Sequence, residues 1–206
     1  KMVLIKKFRS SRLIKHMIIA YLISIIEKNL NLHHFKKIKS SILNTYDTCF
    51  LNKNVPVLGF TGTGGAGKSS LIDELIWRFL KAFPKYEIAV VSIDPTRKKT
   101  GGALLADRIR INSLINDRVF FRSMATRMTA VSTNISINKI LDILKIMNFD
   151  SIILETAGIG QGDIEISYFA DIIIYVMTSE YGSSLQLEKI AILDYANYIV
   201  LNKADK

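Results

Sequence analysis

Cysteine is nearly absent from this chain. Cys49 stands alone, so no internal disulfide can form and the framework of a small secreted domain is excluded. A reducing, cytoplasmic setting is expected. No apolar run is long enough to cross a bilayer: MIIAYLISII, residues 17–26, offers ten residues where roughly 20 are needed. No small-residue cleavage site follows it, so it is not expected to be a signal peptide. Glycine is missing before Gly59 and proline before Pro56. Acidic residues are scarce in that same leading segment, where Glu27 and Asp47 face eleven Lys and Arg, whereas residues 55–206 hold seventeen basic against sixteen acidic side chains. Most of the formal charge of +10 therefore belongs to the first 54 residues. Because the excess is confined to one arm, neither nucleic acid nor membrane is the expected partner. The three histidines, His16, His33 and His34, lie in the arm with no Cys or carboxylate at ligand spacing, which speaks against a zinc or nickel site.

At 206 residues and 49% hydrophobic content the chain can bury one sizeable core. It opens on lysine and stops just after NKAD, so both ends are expected to be cut from something longer. Residues 1–54 read as a basic helical arm. Apolar positions from Ile14 to Ile26 recur at helical spacing but widen to most of the circumference, so this helix needs partners on several sides. A weaker helix is expected over 35–50, and Asn52–Pro56 reads as a linker. From residue 55 onward, short β-branched runs alternate with helical stretches: VPVLGFT, a helix over 68–82, EIAVVSI, a helix from about 104, RVFFRS, a helix over 136–147, SIILE, DIIIYVM, a helix over 184–194, and YIVLN. Runs this continuously apolar suit strands covered on both faces, which predicts an α/β domain with a doubly wound, mostly parallel sheet. Ligands gather at the carboxyl ends of such strands.

The sequence GTGGAGKSS, residues 62–70, follows the first of those runs and opens a helix. It fits the phosphate-loop pattern G-x-x-x-x-G-K-[ST] in the context that pattern requires, placing the fold among the P-loop NTPases. Glycines without Cβ let the backbone curl into a nest of N–H groups, and the helix N-terminus adds positive potential. Gly64, Gly65, Ala66, Gly67, Lys68, Ser69 and Ser70 are the candidate phosphate binders, with Lys68 reaching the β and γ phosphates and Ser69 a ligand to Mg²⁺. Asp94, at the end of EIAVVSI, and Asp107, in TGGALLADRIR, are acids able to hold a metal-bound water or orient the attacking one. A turn role before Pro95 is the plain alternative for Asp94, and a solvated helix face paired with Arg110 is the alternative for Asp107; Arg108 and Arg110 fit a basic helix face equally well. In SIILETAGIGQGD, Glu155 ends a buried strand and can reach the metal shell, and the Gly158 amide can sense a γ-phosphate, giving this segment the makings of a switch. Gln161 lies too far beyond Gly158 to be assigned the attacking water. Arg97, Lys98 and Lys99 read as a solvated loop. Trp77, Phe79 and Phe83 are expected to pack the phosphate-loop helix against the sheet.

At the end of YIVLNKAD, Asn202, Lys203, Ala204 and Asp205 form N-K-x-D. Guanine presents N1–H and an exocyclic amine, two donors that one carboxylate accepts together, whereas adenine presents an acceptor at N1. The pairing selects GTP, and sites built this way discriminate by orders of magnitude.

Block by block, VPVLGFTGTGGAGKSSLIDELI, SIDPTRKKTGGALLADRIRIN, FRSMATR, ILETAGIGQGD and YVMTSEYGSSLQLEKIAILDYANYIVLNKAD resemble the GTPase chaperones of cobalamin enzymes, most closely the G-protein domain of the fused isobutyryl-CoA mutases, over about residues 55–206. The arm is similar in character to the helical linker that precedes that domain. The resemblance implies a Mg²⁺-dependent GTPase that gates delivery or retention of adenosylcobalamin in an acyl-CoA mutase. The mutase and cobalamin-binding domains would lie elsewhere in the same longer chain, and a homodimer is expected. It implies that Gly64 to Ser69, Arg110 and Asn202 to Asp205 contact GTP or GDP. Ser69, Asp94, Asp107 and Glu155, with the Ile93 backbone and Thr156, would surround Mg²⁺; Lys68, Asp94 and Glu155 would be catalytic. The family's cobalamin motif D-x-H-x-x-G is missing from this chain, as is a substrate barrel. The competing reading is a standalone P-loop metallochaperone or targeting GTPase whose basic arm docks on another macromolecule.

Overall fold

Six apolar runs become six parallel strands, the inner ones covered on both faces, whereas Tyr198, Ile199 and Leu201 of the last run are exposed. The computed structural model describes residues 12–27, 54–94, 116–125, 130–156, 161–180 and 191–205. In chain order its elements are α1 (Arg12–Glu27), β1 (Val57–Gly62), α2 (Lys68–Ala82), β2 (Ile88–Asp94), β3 (Val119–Ala125), α3 (Ala130–Ile146), β4 (Ser151–Thr156), a 3₁₀ segment (Gln161–Tyr168), β5 (Ile172–Thr178), a second 3₁₀ segment (Ala191–Tyr195) and β6 (Tyr198–Asn202). The strands form one sheet in the order β3-β2-β4-β1-β5-β6, every pair parallel. Strand order reverses at β1, where β4 lies on one side and β5 on the other. That switch point puts the loop after β1 at the crevice where doubly wound sheets bind ligands.

Alternate residues of each strand face opposite layers. One layer buries Phe60, Val90, Ile153 and Val176 against Ile72, Ile76 and Leu80 of α2. The other buries Val57, Val91, Leu154 and Tyr175 against Ile140 and Leu144 of α3 and against Ile19, Leu22, Ile23 and Ile26 of α1. The arm helix thus shares the main core of the sheet. Burying each such side chain contributes about 1.5–3 kcal/mol, against about 0–1 kcal/mol for an exposed ion pair, so apolar packing holds α1 in place and its charges set its position along the sheet. Those charges are spoken for: Arg12 bonds Glu87 at 2.9 Å and Asp117 at 3.2 Å, Lys15 bonds Glu87 at 2.6 Å, and Arg122 of β3 bonds Glu27 at the far end of α1. Val55 is fully buried in this core and the Pro56 carbonyl accepts from Ile152 N, so the expected linker ends before residue 55 and the strand layer begins there.

On α2 the inward positions are Ile72, Ile76 and Leu80, spaced four apart. Trp77, one residue from Ile76, is rotated about 100° away and is 54% exposed, with Lys81 over its ring. Phe83, at the end of the helix, is 50% exposed and stacks on Phe79. Phe79 alone of the three expected core aromatics packs toward the sheet. The far end of α2 is anchored by Arg118, whose guanidinium donates to the carbonyls of Leu80, Phe83 and Pro84 and so satisfies groups a helix end leaves open. The expected helix over 136–147 begins earlier, at Ala130. The expected helices from about 104 and over 35–50 lie outside the described residues, as does most of the one over 184–194.

His16 sits between the rings of Phe120 and Phe149, at centroid distances of 5.4 and 6.2 Å, and its Nε2 is buried without a partner among the described residues. Burial, with help from Lys15, holds its pKa below the ordinary 6.5. At Glu87 burial acts upward, but the bonds from Lys15 and Arg12 more than reverse it and leave the carboxylate below 4.5. Both groups have depressed folded-state values, so each contributes stability above its unfolded pKa that is lost as pH falls toward the folded one. Urea midpoints should therefore decline below pH 6.5 as unfolded His16 takes a proton that the folded chain refuses, and decline again below pH 4.5. His16→Phe keeps the aromatic packing and should flatten the first decline; His33 and His34 are common to both proteins and cancel. An unchanged pH profile in the variant would refute the assignment.

Candidate functional site

The loop between β1 and α2 is shaped by what it must pass. Gly62 has φ 136°, and a Cβ there would lie 1.9 Å from the Val176 carbonyl of β5. Gly67, the residue before α2, has φ 90° and would place a Cβ 2.5 Å from Asn202 Nδ2. With Gly65 also at positive φ, the backbone curls into the concavity that anion sites use. Gly64, Gly65 and Ser70 are exposed, Ala66 is buried, and Gly67 and Ser69 are partly buried. The first turn of α2 carries N–H groups with no intrahelical acceptor, aimed at this concavity.

Lys68 is buried, and its Nζ donates to the carbonyls of Gly62 at 2.9 Å and Thr63 at 3.0 Å. The ammonium is thereby held over the loop, where it can exchange carbonyl oxygens for phosphate oxygens. Ser69 Oγ donates to Glu155 Oε1 at 2.7 Å, joining the start of α2 to the end of β4. On the opposite face of the sheet Thr156 Oγ1 donates to Thr61 Oγ1 at 2.8 Å. Ile93 pairs with Thr156, and Asp94 ends β2 one residue further on. Asp107, Arg108, Arg110 and Gly158 lie outside the described residues, as do Arg97, Lys98 and Lys99; Gln161 opens the first 3₁₀ segment.

β6 reaches the same loop from the other side. Asn202 Nδ2 donates to the Ala66 carbonyl at 2.8 Å, and Lys203 Nζ donates to the Gly65 carbonyl at 2.8 Å. Lys203 takes the left-handed conformation, φ 57°, which turns the chain so that Ala204 and Asp205 follow as exposed residues. The phosphate loop and N-K-x-D therefore lie at the tips of β1 and β6, with β5 between them, and meet through these two bonds. Sequence spacing pointed to both motifs but carried no sign of Thr61, a buried strand residue whose only signal is the strand register.

A divalent cation fits these residues. The Ser69 hydroxyl and Glu155 carboxylate are hard oxygen donors, and among the described residues no cluster of three or more His, Cys, Asp or Glu forms a closed cage. Few protein ligands, completed by phosphate and water, are what Mg²⁺ takes. Among the described residues adenosylcobalamin finds no comparable place: His16, the one described histidine, lies between Phe120 and Phe149.

Comparison with known proteins agrees with this geometry. The family model described as methylmalonyl-CoA mutase-associated GTPase MeaB matches residues 19–206. The chain belongs to the MeaB family. A fused isobutyryl-CoA mutase of Geobacillus kaustophilus is 54% identical over 156 residues, and one of Cupriavidus metallidurans is 52% identical over 153. These matches cover 76% and 74% of this chain but 14% of each relative, so the chain spans about one seventh of their length. The crystal structure of an LAO/AO transport system kinase superposes with a TM-score of 0.68 at 20% identity, covering 98% of this chain and 56% of that one. At that identity the likeness speaks for the fold, a P-loop NTPase with an all-parallel sheet. The family match begins inside α1, in keeping with that helix sharing the core of the sheet.

Gly67→Ala should destabilise the chain by about 1–2 kcal/mol from left-handed strain alone, and more where the new methyl meets Asn202. Paired with Asn202→Ala the clash disappears, so the double variant should unfold at a higher urea concentration than additivity of the two single changes allows. Strict additivity would show that the two side chains do not meet.

Proposed function

We propose that this chain is the Mg²⁺-dependent GTPase domain of a fused acyl-CoA mutase, and that GTP binding and hydrolysis here gate the loading or retention of adenosylcobalamin by mutase and cobalamin domains of a longer polypeptide. The observation that carries the proposal is the pair of bonds from Asn202 and Lys203 to the carbonyls of Ala66 and Gly65. They hold N-K-x-D against the glycine loop, which supports one nucleotide reaching both. The exposed Asp205 carboxylate would accept both donors of the guanine edge. Gly64 to Ser70 would bind the phosphates with backbone N–H groups, Arg110 adding a further nucleotide contact, and Lys68 would hold the β and γ phosphate oxygens.

Hydrolysis would be an in-line attack of water on the γ-phosphorus, and Lys68 and the loop amides would stabilise the negative charge that develops on its oxygens. Ser69 and Glu155 would hold Mg²⁺, with Asp94, Asp107 and the Ile93 backbone as further candidates, and the ion would supply charge neutralisation at the phosphates; the Thr156 hydroxyl, expected in this shell, instead faces the opposite layer and bonds Thr61. Asp94 or Asp107 would orient the attacking water. The cobalamin step would belong to the rest of the polypeptide, since the motif D-x-H-x-x-G is missing from this sequence. Fused mutases as relatives support the coupling, and a homodimer and a cytoplasmic setting fit the same picture. Against a docking role for the arm, Arg12 and Lys15 are engaged by Glu87 and Asp117 within the fold.

Two measurements test this reading. Lys68→Ala in the intact mutase should abolish GTP turnover, a loss of about 10²-fold or more expected when a transition-state cation goes, while isomerisation of acyl-CoA by cobalamin-loaded enzyme persists. Asp205→Ala should weaken GTP by about 10²-fold or more and leave ATP, a poor ligand from the start, unaffected. Retained turnover in the first, or equal losses for both nucleotides in the second, would reject the proposal.

A further inference from the structure

The last two residues of β4 are tied to the phosphate-loop region on opposite faces of the sheet. Glu155 turns to the α2 face, where its carboxylate takes the Ser69 hydroxyl at 2.7 Å. Thr156 turns to the α1 and α3 face, where its hydroxyl meets that of Thr61, one residue before the glycine loop. Thr61 is completely buried, and Glu155 and Thr156 are 6% and 8% exposed. A buried hydroxyl pair costs desolvation that hydrogen bonding offsets. Threonine at both positions has a stiff χ1, which fixes where each oxygen stands. Backbone pairing from β1 to β4 is registered through Phe60 and Glu155, so the hydroxyl bridge fastens the strands one residue beyond that register, where the strand ends and the loop begins.

We propose that Thr61 is a positioning residue for the cation: through its hydrogen bond with Thr156 it holds the tip of β4, and with it the Glu155 carboxylate, at the separation from Ser69 that Mg²⁺ requires. Pairing with β2 holds the tip within the sheet and the Ser69–Glu155 bond holds it on the α2 face, while the hydroxyl bridge to Thr61 adds a hold on the opposite face. Thr61 itself points away from the nucleotide layer and touches neither phosphate nor metal. The inference rests on the GTPase reading, but its decisive measurement is binding and is separable from turnover.

The test uses the 206-residue chain and a fluorescent GDP, titrated with and without Mg²⁺. Thr61→Val keeps the shape and removes the hydroxyl. It should lower the affinity of the GDP-bound chain for Mg²⁺ by about 10-fold or more, the usual effect of losing a residue that orients a metal ligand, with GDP affinity in EDTA unchanged. Thr61→Ser restores the oxygen and should restore Mg²⁺ affinity even where the lost methyl lowers the melting temperature. Should Thr61→Val fail to fold, Thr61→Cys, with a far weaker acceptor, carries the same prediction. Unchanged Mg²⁺ affinity in the hydroxyl-free variant would overturn the inference, as would an equal fall in Mg²⁺-free GDP affinity, which marks a merely structural residue. GTP turnover by the unaltered chain is followed in parallel: its absence counts against the GTPase reading, while the Mg²⁺ titration still decides the role of Thr61.

Discussion

The guanine motif is bound to the phosphate loop before any nucleotide is considered, and the geometry of the site depends on that contact. Two carbonyls of the loop, those of Gly65 and Ala66, accept from the side chains of Lys203 and Asn202. Turning the Ala66 carbonyl toward β6 turns the Gly67 N–H of the same trans peptide the opposite way, as a nest requires. One set of contacts therefore spaces the two ends of the ligand and orients the donors that meet its phosphates. Gly67 is needed for the same reason, since any Cβ there would occupy the space through which Asn202 reaches Ala66.

That arrangement is only as rigid as the strands that carry it. β1, β5 and β6 are adjacent and in parallel register, so their tips stand side by side at the switch point. β4 closes the other flank of β1 and brings Glu155 to Ser69. Behind the site, α2 is fixed at its far end by Arg118, and α1 lies over the opposite layer with its ends pinned by Glu87 and Arg122. Since β2 and β3 bear these ionic anchors and β2 ends at Asp94, the position of the arm and the position of that acid are set by one piece of sheet. α1, seated in the core, is thereby fixed to the same sheet that carries the phosphate loop.

Much of this was legible because the physics of a buried parallel strand leaves a blunt trace. IAVV, IIL and IIIYV have no polar alternation, and all became strands within a residue or two of their expected bounds. The phosphate loop and N-K-x-D were legible because each needs particular residues at fixed spacing. Other features left weaker traces. The 3₁₀ segment at Gln161–Tyr168 has apolar residues at Ile164 and Ile166, too few to establish a helical period. Trp77 and Phe83 read as core by residue type, although the stripe Ile72, Ile76, Leu80 had already filled the inward face of α2. The arm read as separate from its charge, yet its Ile and Leu positions decided its fate, which follows from the larger free energy of burial. A threonine in an apolar strand is common, so nothing in the sequence distinguished Thr61 from its neighbours.

Parallel pairing by itself places a strand end loosely, because the last residues have a ladder partner on fewer sides and fray. At β4 the cost of fraying would be borne by Glu155, whose carboxylate must stand where a hydroxyl and a cation can share it. Side-chain bonds on both faces of the strand answer that weakness, since rotation that relaxes one strains the other. The same logic separates the two flanks of β1. Toward β6 the loop is held by its own backbone carbonyls, which accept from Asn202 and Lys203. Toward β4 it is held side chain to side chain, through Ser69 and Glu155 on one face and Thr61 and Thr156 on the other.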